Sequence, residues 1–300
     1  MTATTTNPAV NPRRGERRSA GMLAIRTRTV SAQTAKYLSL VIAAVCTLLP
    51  LVTVVFASLK TKQEYGTTGP LAPPSNWFNF DNFVTAFNSG QMLQGFVNTM
   101  IVLVVSLVGT ILIGTMAAYA LDRFEFRGQK LVTGLFLVAT LIPSVTSQVA
   151  TFQVVNGLGL YDTKAALILL FMGTDIIAIY LFMQFMASIP VSLDEAAMID
   201  GANRWTIYWR LILPLLSPAI VTVCIIKGIA IYNEFYLPYL YMPSPKLGVI
   251  STSLFRFTGP FGAQWEVIAA GTMIVILPTL VIFLLLQRYI YSGITSGATK

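Results

Sequence analysis

Six apolar stretches, each about the length of a bilayer, decide what this chain can fold into. They lie near residues 37–59, 95–121, 131–155, 165–187, 211–236 and 266–291. A helix crossing the hydrocarbon core needs about 20 apolar residues. Only helices and closed barrels satisfy their own backbone groups there. The predicted fold class is therefore all-α, a polytopic membrane protein with six transmembrane helices. Charged residues are only 11% of the chain, against about a quarter in a soluble domain. Pro50, Pro143, Pro218 and Pro278 fall inside the runs and predict kinks or local unwinding. The patch Ser144 to Gln153 adds polar side chains next to Pro143, so the third run is expected to bend toward a cavity.

Lysine and arginine set the orientation. With the N-terminus inside, 14 of the 20 fall in inner segments, five in outer segments, and Lys227 lies within the bilayer. That bias places both termini in the cytoplasm. Seven of the 14 (Arg13, Arg14, Arg17, Arg18, Arg26, Arg28 and Lys36) lie in residues 1–36. This segment reads as a basic, flexible cytoplasmic tail, disordered or loosely helical at the membrane surface. Residues 37–300 form the transmembrane domain. The net charge of +8 is thus a topology signal with a weak pull toward anionic lipid, and nucleic acid is not an expected partner. The run Leu38 to Leu59 is longer than the core of a cleaved signal peptide.

Between the fourth and fifth runs lies a polar segment, Ser192 to Pro214, on the cytoplasmic side. Ser192 and Glu195 have the spacing of a capping box. Asp194 and Glu195 put negative charge at the positive end of a helix. Gly201 then permits a tight bend. Trp205, Tyr208 and Trp209 follow at helical spacing, and Pro214 suits the first turn of the next span. The expectation is two short helices outside the bilayer. Taken alone, the segment also fits an ordinary interfacial amphipathic helix whose aromatic residues rest at the headgroups.

The order Glu195-Ala196-Ala197, Asp200-Gly201-Ala202 and Leu211-Ile212-Leu213-Pro214 resembles the EAA loop of ABC importer permeases. Leu211 stands where that family usually has isoleucine. Tyr119-Ala120-Leu121-Asp122-Arg123-Phe124-Glu125-Phe126-Arg127-Gly128, Asn233-Glu234-Phe235 and the tail Gln287 to Ala298 are similar to stretches of the maltose-type, carbohydrate-importing subgroup. Tyr232 replaces that subgroup's usual tryptophan before Asn233. The resemblance implies a permease subunit in the bacterial plasma membrane, with cytoplasmic coupling loop 189–210. Its coupling helix would engage an ATPase subunit through Glu195, Ala196, Ala197, Asp200, Gly201, Ala202 and Trp205. The implied partners are a second homologous permease, two ATP-binding subunits, an extracytoplasmic solute-binding protein, membrane lipid and a sugar. ATP and magnesium would sit on the ATPase subunits, with no cofactor or metal on this chain.

Charge inside a bilayer is costly and marks candidate function. Asp175, Lys227 and Glu234 fall within runs four and five. Counting at 1.5 Å per residue, Asp175 and Lys227 have similar depths, so an interhelical ion pair is expected. That pair either faces the translocation path or only stabilises the bundle. Asp175, Lys227, Asn233 and Glu234 are the candidate path residues. Tyr232, Tyr236 and Gln148 add groups of the kind sugars bind. Outside, residues 60–94 and 237–265 are rich in Pro and aromatic residues. A helix Asp81 to Asn88, capped by Asp81, is expected in the first. Either segment could receive a binding protein or anchor at the headgroups.

The chain has no His, and its two cysteines, Cys46 and Cys224, lie in apolar runs. No nucleophile–base pair or metal-ligand cluster stands out, so a membrane enzyme is a poor reading. No G-x-x-x-x-G-K-[ST] stretch occurs, so any ATP hydrolysis belongs to another chain. An ion-coupled secondary transporter remains an alternative, although no clear internal repeat is present. So does an ABC permease for a non-sugar solute.

Overall fold

A computed structural model describes residues 12–298 other than Ser144, Thr174 and Phe261. The first 11 residues of the basic tail, Ser144 of the polar patch and Lys300 of the charge count lie outside it. Helix α1 (Pro12–Leu59) runs from the tail into the first span without a break. Residue 36 therefore marks a change of composition and not of backbone. Short helices α2 (Lys62–Thr67) and α3 (Asp81–Ser89) follow. Phe80, not Asp81, occupies the cap position of α3, and Asp81 is already helical.

Helix α4 (Met92–Arg123) is the organising element. Its buried side is made of small and hydroxyl residues, among them Gly95, Asn98, Thr99, Ser106, Gly109, Thr110, Gly114, Thr115 and Ala118. Its large aliphatics, including Leu93, Val97, Ile101, Val104 and Val108, face outward. Lipid is as apolar as leucine, so large side chains gain nothing by turning inward, while small ones let backbones approach. The inward polar groups find partners. Asn98 donates to the carbonyls of Lys246 and Gly248 at 3.1 and 2.9 Å. Thr99 Oγ1 donates to Gly95 O and accepts from Ile250 N. Thr110 donates to Phe171 O.

The third run is two helices, α5 (Gln129–Leu141) and α6 (Gln148–Gly157), separated around Pro143 as expected. The fourth is also broken, into α7 (Lys164–Met172) and α8 (Ile176–Met186), at about 40°. No proline announces that break. Both halves pack on α4, where Gly109 faces Met172 and Gly114 faces Phe182. Short helices α9 (Ser192–Ile199) and α10 (Arg204–Ile207) lead through a π turn, Tyr208–Ile212, into α11 (Leu213–Leu215).

This piece meets α12 (Ser217–Asn233) at 67°. Pro218, not Pro214, lies in the first turn of that span. Pro214 lacks an N–H, and just before it Leu213 N reaches back five residues to Tyr208 O. Beyond α12 come α13 (Tyr236–Tyr241), α14 (Ile250–Ser253) and a two-residue hairpin, β1 (Thr258–Gly259) with β2 (Gly262–Ala263). Helix α15 (Trp265–Ala298) closes the bundle. Pro50 and Pro278 leave α1 and α15 unbroken, which membrane helices tolerate.

Among the described residues, three helices are long and apolar enough to cross a membrane, and the two bent pairs raise that to five. Arg123 ends α4 beside α9, whereas the start of α4 lies with α3, whose Asn82 holds the end of α1. The α9–α10 loop and the α1 C-terminus therefore occupy opposite ends of the bundle.

Gly95 is the tightest useful test of this packing. An added Cβ would lie 3.3 Å from Ile250 N and 2.5 Å from Ser253 Oγ. Gly95→Ala is expected to destabilise the fold by about 1–3 kcal/mol, measured as a lower unfolding midpoint in detergent. An unchanged midpoint would show that α14 does not pack on α4 as described.

Candidate functional site

The polar loop builds its shape from local backbone chemistry. Helix α9 is capped by Val191, and Asp194 N and Glu195 N both donate to Val191 O. Ser192 is therefore helical, and the capping box expected with Glu195 does not form. The C-terminus follows the sequence closely. Gly201 adopts φ +83°, Gly201 N donates to Met198 O, and Ala202 N donates to Ala197 O. This is a Schellman closure, in which glycine supplies the left-handed residue. No heavy atom lies within 4 Å of a Cβ placed there, so backbone angle alone selects glycine. Asn203 restarts the chain by capping α10 through Thr206 N at 2.8 Å.

The loop presents two faces. Ala197 and Ala202 pack inward against the core formed by Tyr119, Ile207, Tyr208 and Ile212. Glu195, Ala196, Asp200 and Gly201 are exposed. So are several large apolar side chains, with Ile199 at 88% and Trp205 at 59%. Tyr208 is the buried post of this region. Its hydroxyl bonds Thr115 Oγ1 at 2.8 Å, and its ring meets those of Tyr119, Trp205 and Trp209 at 5.2 to 6.1 Å.

A buried ion pair joins the loop to α4. Arg123 Nε lies 2.9 Å from Asp194 Oδ2, with side chains only 4% and 1% exposed. Arg123 also contacts Asp122 and donates to Ile189 O, both at 2.7 Å. The contact to Asp194 is a close ion pair without hydrogen-bond alignment. Attraction between the charges therefore carries it. Neither residue stands out as a pair in the sequence, because 70 residues separate them.

Within the bilayer, the expected pair is present. Lys227 Nζ lies 2.6 Å from Asp175 Oδ2, with side chains 24% and 11% exposed. Asp175 has a second task that the sequence did not disclose. Its Oδ1 accepts from Ala178 N and caps α8 at the break in the fourth run. Asn233 and Glu234 are not part of this pair. Glu234 Oε1 accepts from Tyr236 N and Leu237 N, forming the turn into α13. Asn233 donates to Ile229 O and is exposed. Tyr232 is buried and donates to Val275 O, so its hydroxyl is already committed. Gln148 donates to Tyr241, and Tyr236 stays exposed.

Comparison with known proteins was consistent over nearly the whole chain. Residues 110–296 match the model of a family described as binding-protein-dependent transport system inner membrane component. A probable starch degradation products transport system permease of Thermoanaerobacterium thermosulfurigenes is 32% identical over 271 residues, covering 88% of this chain and 97% of that protein. A melibiose/raffinose/stachyose import permease of Bacillus subtilis is 32% identical over 261 residues, covering 84% and 91%. Among solved structures, a bacterial ABC transporter involved in alginate import superimposes with a TM-score of 0.72 at 20% identity, covering 94% of this chain and 99% of that one. That likeness carries the fold.

The buried pair yields a double-mutant test. Arg123→Ala strands the Asp194 carboxylate and is expected to cost about 3–5 kcal/mol. The combination Arg123→Met with Asp194→Leu is expected to cost less than Arg123→Ala alone. Chemical denaturation in detergent measures both. Simply additive losses would contradict direct coupling.

Proposed function

The chain belongs to the binding-protein-dependent transport system inner membrane component family, and from that premise we propose that it is one of two permease subunits of an ATP-driven carbohydrate importer. As a family member it is an inner-membrane permease working with a solute-binding protein, and not an enzyme. A sugar, and an oligosaccharide in particular, is the substrate class favoured by the relatives' own substrates, starch degradation products and raffinose-type sugars. Six spans with both termini inside is the topology that the Lys/Arg bias supports.

The observation that carries the reading is the α9–Gly201–α10 turn. It is a polar loop at the end of α4, yet it exposes Ile199, Trp205 and Trp209. Exposed aromatic anchors on a rigid turn suit a protein partner. The partner proposed is an ATPase subunit holding ATP and magnesium, with two such subunits and a second permease in the assembly. Glu195, Ala196, Asp200, Gly201 and Trp205 form the outward coupling face. Ala197 and Ala202 act on the inner side, seating the turn on the permease core.

Force has a physical route inward. The Arg123–Asp194 pair and the Tyr208–Thr115 bond tie the loop to α4 at two places. ATP-driven closure of the ATPases moves the turn, and the attached helices swing as rigid bodies. Asp175 and Lys227 sit where the fourth run breaks and are the proposed path residues of the membrane interior. Asn233 and Glu234 shape its outer end.

Gly201→Pro and Glu195→Lys test the coupling role. Proline cannot reach φ +83°, and lysine reverses charge on the exposed face. Both variants are expected to insert and assemble while losing receptor- and sugar-stimulated ATP hydrolysis in reconstituted vesicles. Normal stimulated turnover in both would overturn the assignment. Lys227→Met leaves Asp175 unpaired within the membrane and is expected to impair sugar uptake. Uptake at the original rate would remove the pair from the path.

A further inference from the structure

The end of the bundle opposite α9 holds a cleft that the transport reading does not use. It lies between α1 and α15, with a volume of about 350 Å³. Val54, Ala57, Ile268 and Ala269 make its apolar walls, and Lys60, Thr68 and Tyr65 also line it. Lys60 is the unusual member. It is one residue past α1, yet it is only 2% exposed. The chain fixes it there by its backbone: Asn82 Nδ2 donates to the carbonyls of Ser58 and Lys60 at 2.9 and 2.7 Å, and Asn79 donates to Leu59 O.

The Lys60 ammonium donates to Gly69 O at 2.9 Å. That satisfies one of its three N–H groups. No described carboxylate pairs with it, since the ion pairs of the described residues all involve Arg123 or Lys227. Glu64, the nearest acid in sequence, is occupied with Ser75 N. Glu266 is buried at the start of α15 but does not pair with Lys60. A buried ammonium without a counter-charge is costly, and the carbonyl of Gly69 leaves two of its N–H groups without a hydrogen-bond partner among the described residues.

We propose that this cleft binds an anionic phospholipid of the leaflet opposite the α9–α10 loop, with its phosphate on Lys60 and an acyl chain between α1 and α15. Charge selects an anion, and depth selects a lipid. The lining reaches from Lys60 back to Thr53 and from Trp265 on to Thr272. Each stretch is eight residues, about 10 Å of helix, so the cleft extends below the headgroups. An incoming protein loop would carry unsatisfied backbone groups to that depth. An acyl chain carries none. Trp265 at the rim has the amphipathic ring that favours the interface.

Native mass spectrometry of the assembled transporter, taken from vesicles of phosphatidylcholine with phosphatidylglycerol, tests the site. The wild type is expected to retain phosphatidylglycerol in preference to phosphatidylcholine. Lys60→Gln is expected to lower that retention about fivefold, the effect of one lysine on an anionic lipid, while Lys60→Arg preserves it. Thr272→Trp fills the cleft without touching Lys60 and is expected to remove the lipid as well. It decides the matter if Lys60→Gln fails to assemble. Equal retention of the two lipids by wild type, or unchanged retention in both Lys60→Gln and Thr272→Trp, would overturn the proposal. So would a disulfide cross-link from Thr272→Cys to the second permease, which would put a protein helix in the cleft.

Discussion

Within hydrocarbon no water is present to rescue an unpaired polar group, and this constraint shapes α4 and everything packed on it. The helix turns its hydroxyls, Asn98 and glycines inward and most of its valines toward lipid, Val102 excepted. Each inward polar group must then find a partner on a neighbouring element. Asn98 and Thr99 find α14 and the segment before it, Thr110 finds α7, and Thr115 finds Tyr208. The same groups that would be liabilities in lipid thus specify which helices pack where. Ser106 Oγ is an exception, buried without a partner among the described residues.

One helix therefore connects the two ends of the molecule. At one end α4 meets α14 and α3, and at the other it meets α9 and Tyr208. The break between α7 and α8 lies between those ends, and Asp175 caps the half-helix there while pairing with Lys227. A broken helix next to a rigid one is a place where two packings can differ little in energy. The buried Arg123–Asp194 contact has the opposite character. Separating it would leave the buried Asp194 carboxylate without a partner, so the loop and α4 move together.

How much was legible varied with the range of the forces involved. The Gly201 turn was readable because a left-handed residue is a local demand, met by one residue type. The Asp175–Lys227 pair was readable because both charges are expensive in lipid and matched in depth. The capping box at Ser192 failed because Pro190 and Val191 start the helix one residue earlier than the Ser/Glu spacing assumes. Pro214 was assigned a role that Pro218 plays, since a π turn carries the helical backbone past the first proline. Tyr232 looked free for ligand, but its hydroxyl bonds a carbonyl 43 residues away.

The sequence by itself determined that this is a helical membrane protein and where its polar loop bends. Those properties depend on solvent preference and on single-residue backbone angles. Tertiary structure alone decided that Arg123 meets Asp194, that Asp175 caps a broken helix, and that Lys60 lies buried in a cleft without a carboxylate. Each of these depends on elements distant in sequence arriving side by side, and neither hydropathy nor local spacing encodes which faces will meet.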